Sequence, residues 1–91
     1  MTKIIEHPGV ELGRRIQQTG LNLTRFAYSI DVSPSRISEL VSGKRSFSVD
    51  SAIRVAKALE TTPEYWLAKQ VEFDLAQSEE SKEAQRPSWM I

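Results

Sequence analysis

The chain has 91 residues, of which 40% are hydrophobic and 26% charged, and its formal net charge at pH 7 is zero. This length and composition indicate one globular domain with a modest core. The absence of cysteine excludes disulfides and thiolate metal sites, and no apolar run is long enough to span a bilayer. We therefore expect a cytoplasmic protein without a signal peptide or a membrane segment.

The charge is unevenly distributed along the chain. Up to Lys57, nine basic residues exceed five acidic ones, and from Ala58 onward seven acidic residues exceed three basic ones. The two parts therefore carry net charges of +4 and −4. The basic part can contact phosphate, whereas the acidic part can stay clear of it or meet a basic partner.

The first predicted helix runs from Pro8 to Gln18, with His7 just before it and Gly20 after it. Leu12 and Ile16 are four residues apart and mark its buried side. His7 is the only histidine, and without partners for catalysis or metal binding it is expected to cap the helix or to lie at the surface.

A helix-turn-helix is predicted next, from Asn22 to Arg45. Its first helix spans Leu23 to Ile30, with Asn22 as the N-cap. Its second helix begins after the N-cap Ser33, with Pro34 in the first helical position, and runs to Ser42 before Gly43, for which we expect a positive φ. The apolar sides, at helical spacing, are Phe26, Ala27 and Ile30 on the first helix and Ile37, Leu40 and Val41 on the second.

Two further helices complete the predicted all-α fold. Helix four spans Val49 to Leu59 behind the cap Ser48, and helix five starts at Thr62-Pro63. The residues from Glu79 to Glu83 either prolong helix five or form a solvated tail, and Arg86-Pro87 should stop any helix. We divide the chain into a helix-turn-helix domain, residues 1–77, and a C-terminal extension, residues 78–91.

The outward side of the second motif helix is short and polar, a shape that fits the major groove of DNA. Arg36 is the candidate for base readout, because its guanidinium matches the two major-groove acceptors of guanine. Ser35 and Ser38 could donate to bases or phosphate, whereas Glu39 could accept from cytosine or simply lie at the surface. The predicted DNA-binding residues are Asn22, Arg25, Ser33, Ser35, Arg36, Ser38, Glu39, Lys44 and Arg45.

The flanking residues of this set are expected to contact phosphate. Lys44 and Arg45 follow the second helix where the chain passes the DNA backbone, so they would position the protein without specifying sequence. Asn22 and Arg25, at the start of the first helix, could hold a phosphate together with free backbone N–H groups, although Asn22 could be a cap alone. The sequence contains no glycine-rich phosphate loop, metal-ligand cluster or Ser/His/Asp order, so we expect neither an enzyme nor a cofactor.

Three segments occur in order along the chain: His7-Pro8-Gly9 followed by Leu12, the helix-turn-helix through Ser42-Gly43-Lys44-Arg45, and Pro63-Glu64-Tyr65-Trp66-Leu67 with Gln70, Phe73, Asp74 and Leu75. Together they resemble the HigA-type antitoxins of the XRE (phage-repressor-like) helix-turn-helix family. The resemblance implies a five-helix, lambda-repressor-like domain that forms a homodimer, binds double-stranded operator DNA in its own promoter and neutralises a small basic HigB-type ribonuclease toxin. Residues expected to anchor the core or the dimer are Trp66, Leu67, Gln70 and Phe73.

Three positions depart from the family pattern. Asp31 stands where the turn usually has glycine, although Asp tolerates left-handed geometry better than most residues. Leu23 replaces a glutamine that often contacts phosphate, and Lys69 replaces an apolar residue. Two alternatives therefore stay open: a stand-alone repressor without a toxin partner, and a protein-interaction module that has lost DNA binding. Loss of the glutamine supports the second alternative, and the cations Arg36, Lys44 and Arg45 oppose it.

Overall fold

The computed structural model of the chain describes residues 5–85, with side chains through residue 78. Within this range there are five α-helices and no strand, as predicted, and none of the helices is long and apolar enough to cross a membrane. The helices are α1 (Pro8–Thr19), α2 (Leu23–Ser29), α3 (Pro34–Val41), α4 (Val49–Leu59) and α5 (Pro63–Gln85).

The helix boundaries differ from the predicted ones by one residue at most, except at the end of α5. α1 continues to Thr19 before Gly20 adopts the left-handed conformation, and α2 and α3 each end one residue earlier than predicted. α5 runs through residues 79–83, so this segment prolongs the helix. The boundary suggested between residues 77 and 78 falls inside α5, and the expected stop at Arg86-Pro87 lies outside the described residues.

One hydrophobic core joins the five helices. Trp66 of α5 is fully buried and stacks on Phe47, with ring centroids 5.2 Å apart. Burial of a tryptophan side chain is among the largest contributions that a single residue makes to the stability of a small core. The buried apolar residues are Leu12, Ile16, Phe26, Ala27, Val32, Ile37, Leu40, Phe47, Ala52, Val55, Ala56 and Trp66.

The helix starts are capped by the side chains that the sequence indicated. Asn22 Oδ1 accepts the Arg25 N–H at 2.8 Å, and Ser48 forms a reciprocal capping box with Ser51. Thr62 Oγ1 accepts the Tyr65 N–H at 3.2 Å. These contacts satisfy backbone donors that the first turn of a helix leaves without an intrahelical partner.

Candidate nucleic-acid interface

The second helix of the motif, α3, is held by its apolar side and leaves its polar side outward. Ile37 and Leu40 have no exposed surface, whereas Ser35 and Ser38 are exposed. The predicted cap Ser33 accepts the Arg36 N–H at 3.3 Å. At the other end, Gly43 has a φ of 79°, as expected for a residue that ends a helix in the left-handed region.

The turn between α2 and α3 contains Asp31 with a φ of 58°, so the predicted left-handed conformation is confirmed. Arg54 of α4 supports this turn, because its Nη1 donates to the carbonyl oxygens of Ile30 and Asp31 at 3.2 and 3.4 Å. Those carbonyls lie at the end of α2, where backbone acceptors lack helical partners. The sequence prediction did not assign this role to Arg54.

The His7-Pro8-Gly9 segment packs directly against α3. A Cβ added to Gly9 would lie 2.8 Å from the carbonyl carbon of Leu40 and closer still to its oxygen, so only glycine permits this approach of α1 to α3. A Cβ on Gly43 would lie 3.5 Å from the His7 ring. The His7-Pro8-Gly9 segment therefore contacts both α3 and Gly43, the residue that ends it.

His7 caps α1, in agreement with the favoured prediction. Its Nδ1 accepts the Gly9 N–H at 2.9 Å, and its ring meets the ring of Phe73 edge-on at 5.1 Å. Burial lowers the pKa of His7 below its ordinary value, although the Asp74 carboxylate and a backbone hydrogen bond with Arg45 act in the opposite direction. An Nδ1 that accepts a hydrogen bond belongs to a neutral imidazole.

Arg36 is not a free outward side chain as the sequence suggested. It is half-buried, and its Nη2 lies 3.1 Å from Asp50 Oδ2 in the first turn of α4. Arg54 contacts the same carboxylate through Nε at 3.1 Å. The guanidinium groups of Arg54 and Arg36 hold the pKa of the Asp50 carboxyl below its usual range.

The cations around α3 fall into paired and unpaired groups. Arg45 Nη2 lies 2.8 Å from Glu39 Oε2, so Glu39 forms an ion pair within the chain. Lys44 and Arg25 are exposed and form no ion pair within residues 5–78. They are available to phosphate without breaking an existing contact, whereas Arg36 and Arg45 must keep or exchange their carboxylates.

Leu23, which replaces the expected glutamine, is partly buried and packs against the core. This position therefore contributes to packing of α2. Asn22 is exposed and caps α2 at the same time, so capping does not remove it from the surface.

The four predicted anchors of α5 lie at different depths. Trp66 is in the core, and Gln70 is buried, with its Oε1 accepting the Phe47 N–H at 2.9 Å and its Nε2 donating to Asp74. Leu67 and Phe73 are only partly buried. Trp66 and Gln70 are thus enclosed within the single chain, while Leu67 and Phe73 retain some exposed surface.

Lys69, at a position where the resemblance predicts an apolar residue, takes part in a charged cluster between α1 and α5. Its Nζ lies 3.3 Å from Glu11 Oε1, and Arg15 Nε lies 2.7 Å from Glu11 Oε2. The Tyr65 hydroxyl donates to the same carboxylate at 2.6 and 2.8 Å. Burial raises the pKa of Glu11, but the hydrogen bonds from Tyr65, Arg15 and Lys69 outweigh it, so the net shift is downward.

Comparison with known proteins gives consistent matches across most of the chain. A helix-turn-helix family model matches residues 12–66. Virulence-associated protein A' of Dichelobacter nodosus is 38% identical over 72 residues, which are 78% of this chain but only 63% of that protein. The chain therefore spans less than two thirds of this relative's length.

Two solved structures match over nearly their whole length. A candidate antidote protein of a plasmid maintenance system from Nostoc punctiforme is 34% identical, with a TM-score of 0.85 and 94% of each chain covered. Antitoxin HigA of Pseudomonas aeruginosa, solved with the higBA promoter, is 25% identical, with a TM-score of 0.84 and 90% of each chain covered.

Proposed function

The chain belongs to the XRE-type helix-turn-helix family, and from this premise we propose that it is a sequence-specific DNA-binding antitoxin that represses its own promoter. The observation that carries the proposal is the outward polar side of α3, which is flanked by the exposed cations Lys44 and Arg25, neither of which forms an ion pair within residues 5–78. The similarity to an antitoxin solved with promoter DNA supports it. DNA contact of this kind would take place in the cytoplasm.

In this proposal α3 enters the major groove. Arg36 reads a guanine, Ser35 and Ser38 contact bases or phosphate, and Glu39 keeps Arg45 in place beside the backbone. The caps Asn22 and Ser33, together with Arg25, Lys44 and Arg45, lie where a helix-turn-helix meets phosphates.

A homodimer would place two copies of α3 in successive major grooves, roughly 34 Å apart, on a pseudo-palindromic operator. We assign its surface to the outer side of α5, where Val71 and Leu75 are 55% and 59% exposed although they are large and apolar. The two residues are four apart and therefore lie on one face of the helix. Leu67, which is partly buried one turn earlier, continues that face.

A gel-shift titration with the DNA immediately upstream of the protein's own reading frame tests the DNA-binding role. Arg36→Ala should weaken specific binding by about 1–3 kcal/mol and relax the preference at one base pair, because a bidentate contact is lost. Lys44→Ala should weaken binding to all sequences alike and lower the salt slope by about one.

Lys57→Ala provides the matched control, because Lys57 is an exposed cation without an ion pair in the described structure but lies in the last turn of α4. Lys57→Ala should bind the upstream DNA, and DNA of unrelated sequence, nearly as the parent protein does. If Arg36→Ala and Lys44→Ala also bind like the parent, α3 does not face DNA. The chain would then fit the alternative of a protein-interaction module without DNA binding.

The toxin partner is proposed to be a small basic HigB-type ribonuclease. The net charge of −4 from Ala58 onward supports a basic partner, and Glu60 and Glu64 are exposed in that part of the chain. Co-expression with the neighbouring reading frame should yield a complex that co-purifies. If no complex forms even at low salt, a stand-alone repressor becomes the better description.

A further inference from the structure

The contact between Arg36 and Asp50 belongs to a longer series of charge-assisted contacts. Arg54 Nε lies 3.1 and 3.2 Å from the two carboxylate oxygens of Asp50. Arg54 Nη1 in turn donates to the carbonyl oxygens of Ile30 and Asp31. The turn of the helix-turn-helix is thereby connected, through two side chains of α4, to the guanidinium of Arg36.

Asp50 is also fixed by its own helix. It lies in the first turn of α4, between the capping-box residues Ser48 and Ser51. A carboxylate in this place interacts favourably with the positive end of the helix dipole. Asp50 therefore presents its charge from a backbone position that is held independently of Arg36.

The contact leaves most of the Arg36 guanidinium available. Only Nη2 meets Asp50, and Nε and Nη1 have no hydrogen-bond partner among the side chains and backbone described. Guanine requires two N–H donors, and a guanidinium has five. One arginine can therefore hold the carboxylate and a base at the same time.

We propose that Asp50 is a positioning residue for sequence readout, which holds Arg36 in the orientation that meets a base. An unrestrained arginine on a helix surface has many rotamers to give up when it binds, and restricting them in advance favours the correctly oriented contact. The inference rests on the proposed function, since it requires that Arg36 reads DNA.

The proposal predicts two opposite effects when the charge of Asp50 is removed. The Asp50 side chain is 55% exposed, so its charge repels phosphates, and its loss should strengthen binding to any DNA. The same change replaces the charged acceptor of Arg36 with a weaker, neutral one, so Arg36 is less restrained and discrimination between sequences should weaken. A residue with only an electrostatic role would shift both affinities by one factor and leave their ratio unchanged.

The experiment begins with selection of a consensus duplex from a randomised pool by the parent protein. Dissociation constants are then measured for that duplex and for a scrambled duplex of the same composition, with the parent, Asp50→Asn, Arg36→Ala and the double variant. The specificity ratio is the dissociation constant for the scrambled duplex divided by that for the consensus duplex. Asp50→Asn should bind the scrambled duplex more tightly, while this ratio falls about fivefold, the lower end of the discrimination that one bidentate contact supplies. In the Arg36→Ala background it should not lower the ratio further.

Asp31→Asn is the matched control. Asp31 belongs to the same network, with Oδ2 3.8 Å from Arg54 Nη1, and its side chain is 99% exposed. Asparagine tolerates its φ of 58°, so the variant removes one charge without touching Arg36. It should leave the specificity ratio at the parent value. Thermal melting checks that the variants are folded, and Asp50→Ser replaces Asp50→Asn if the latter is unfolded at the assay temperature.

An unchanged ratio in Asp50→Asn overturns the positioning role. A higher ratio also overturns it, since Asp50 would then hold Arg36 away from the bases. The same conclusion follows if Asp50→Asn lowers the ratio equally when Arg36 is alanine. If no consensus can be selected, or if Arg36→Ala keeps the full ratio, the base readout in the proposed function fails as well.

Discussion

At the scale of single residues, Gly9 governs how closely α1 approaches α3. A side chain at this position would overlap the Leu40 carbonyl, and backbone cannot move aside as the end of a flexible side chain can. We expect Gly9→Ala to lower the free energy of unfolding by about 3 kcal/mol, as overpacking of a tight site does. Urea unfolding measures this change.

Gly13→Ala is the control for Gly9→Ala, because Gly13 lies in the same helix. A Cβ there would lie 3.1 Å from Val41 Cγ1, the end of a side chain. The helix preference of alanine, about 1 kcal/mol over glycine, should offset this contact, so stability should stay within about 1 kcal/mol of the parent. Equal losses in the two variants would contradict the role assigned to Gly9.

We expect His7 to make the free energy of unfolding depend on pH near neutrality. Its pKa is lowered in the folded protein, so between the two values the unfolded chain binds more protons. The free energy of unfolding should therefore decrease as the pH falls below about 6.5. Denaturant titrations between about pH 7.5 and about pH 5.5 measure this, an interval above the range in which an ordinary carboxyl group titrates.

The same titrations with His7→Asn provide the comparison. Asparagine can accept the Gly9 N–H as a cap but does not titrate, so its stability should vary less over this interval. A parent whose stability does not change, or an asparagine variant that loses as much as the parent, would rule out His7 as the titrating group.

At the scale of helices, the Glu11 cluster connects α1 to α5. Tyr65→Phe removes a hydroxyl that donates to Glu11 at 2.6 and 2.8 Å, and we expect a loss of about 1–2 kcal/mol because the acceptor is charged. Tyr28→Phe is the control, since Tyr28 is 71% exposed and should change stability by less than about 0.5 kcal/mol. Similar values for both variants in chemical unfolding would show that the cluster contributes little.

The helices themselves could be predicted from the sequence because their signals are local. Caps such as Ser48 lie within three residues of the backbone groups they bind, and apolar residues recur at helical spacing. The α4 prediction was correct at both ends, whereas the end of α5 stayed open because residues 79–83 have no stop signal of their own.

The side-chain contacts of the candidate site could be predicted only in part. Asp50 and Arg54 are one turn apart in α4, so that pair follows from sequence. The contact of Arg36 with Asp50 spans 14 residues, and that of Tyr65 with Glu11 spans 54. Such contacts depend on how the helices pack, and helix periodicity does not specify which side chains then meet.

At the scale of the whole molecule, the dimer surface assigned to α5 can be tested by charge. Leu75→Glu should convert a dimer into a monomer in sedimentation experiments, because a carboxylate opposite its symmetry mate would be buried without a partner. Its stability as a monomer should change by less than about 0.5 kcal/mol, since Leu75 is 59% exposed.

Ile53→Glu is the control for this test, because Ile53 is an exposed apolar residue of α4, 49% accessible. Ile53→Glu should remain a dimer in the same sedimentation experiments. A monomeric Ile53→Glu together with a dimeric Leu75→Glu would move the interface from α5 to α4.

The hydrogen bond from the Phe47 amide to Gln70 has a consequence for how the molecule opens. The donor belongs to the loop after α3, and the acceptor is a buried side chain of α5. Exchange of that amide requires the hydrogen bond between the loop and α5 to break, so we expect its deuterium uptake to report the free energy of separating the two. The exchange rate of this one amide thus measures, under native conditions, how strongly α5 is attached to the loop after α3.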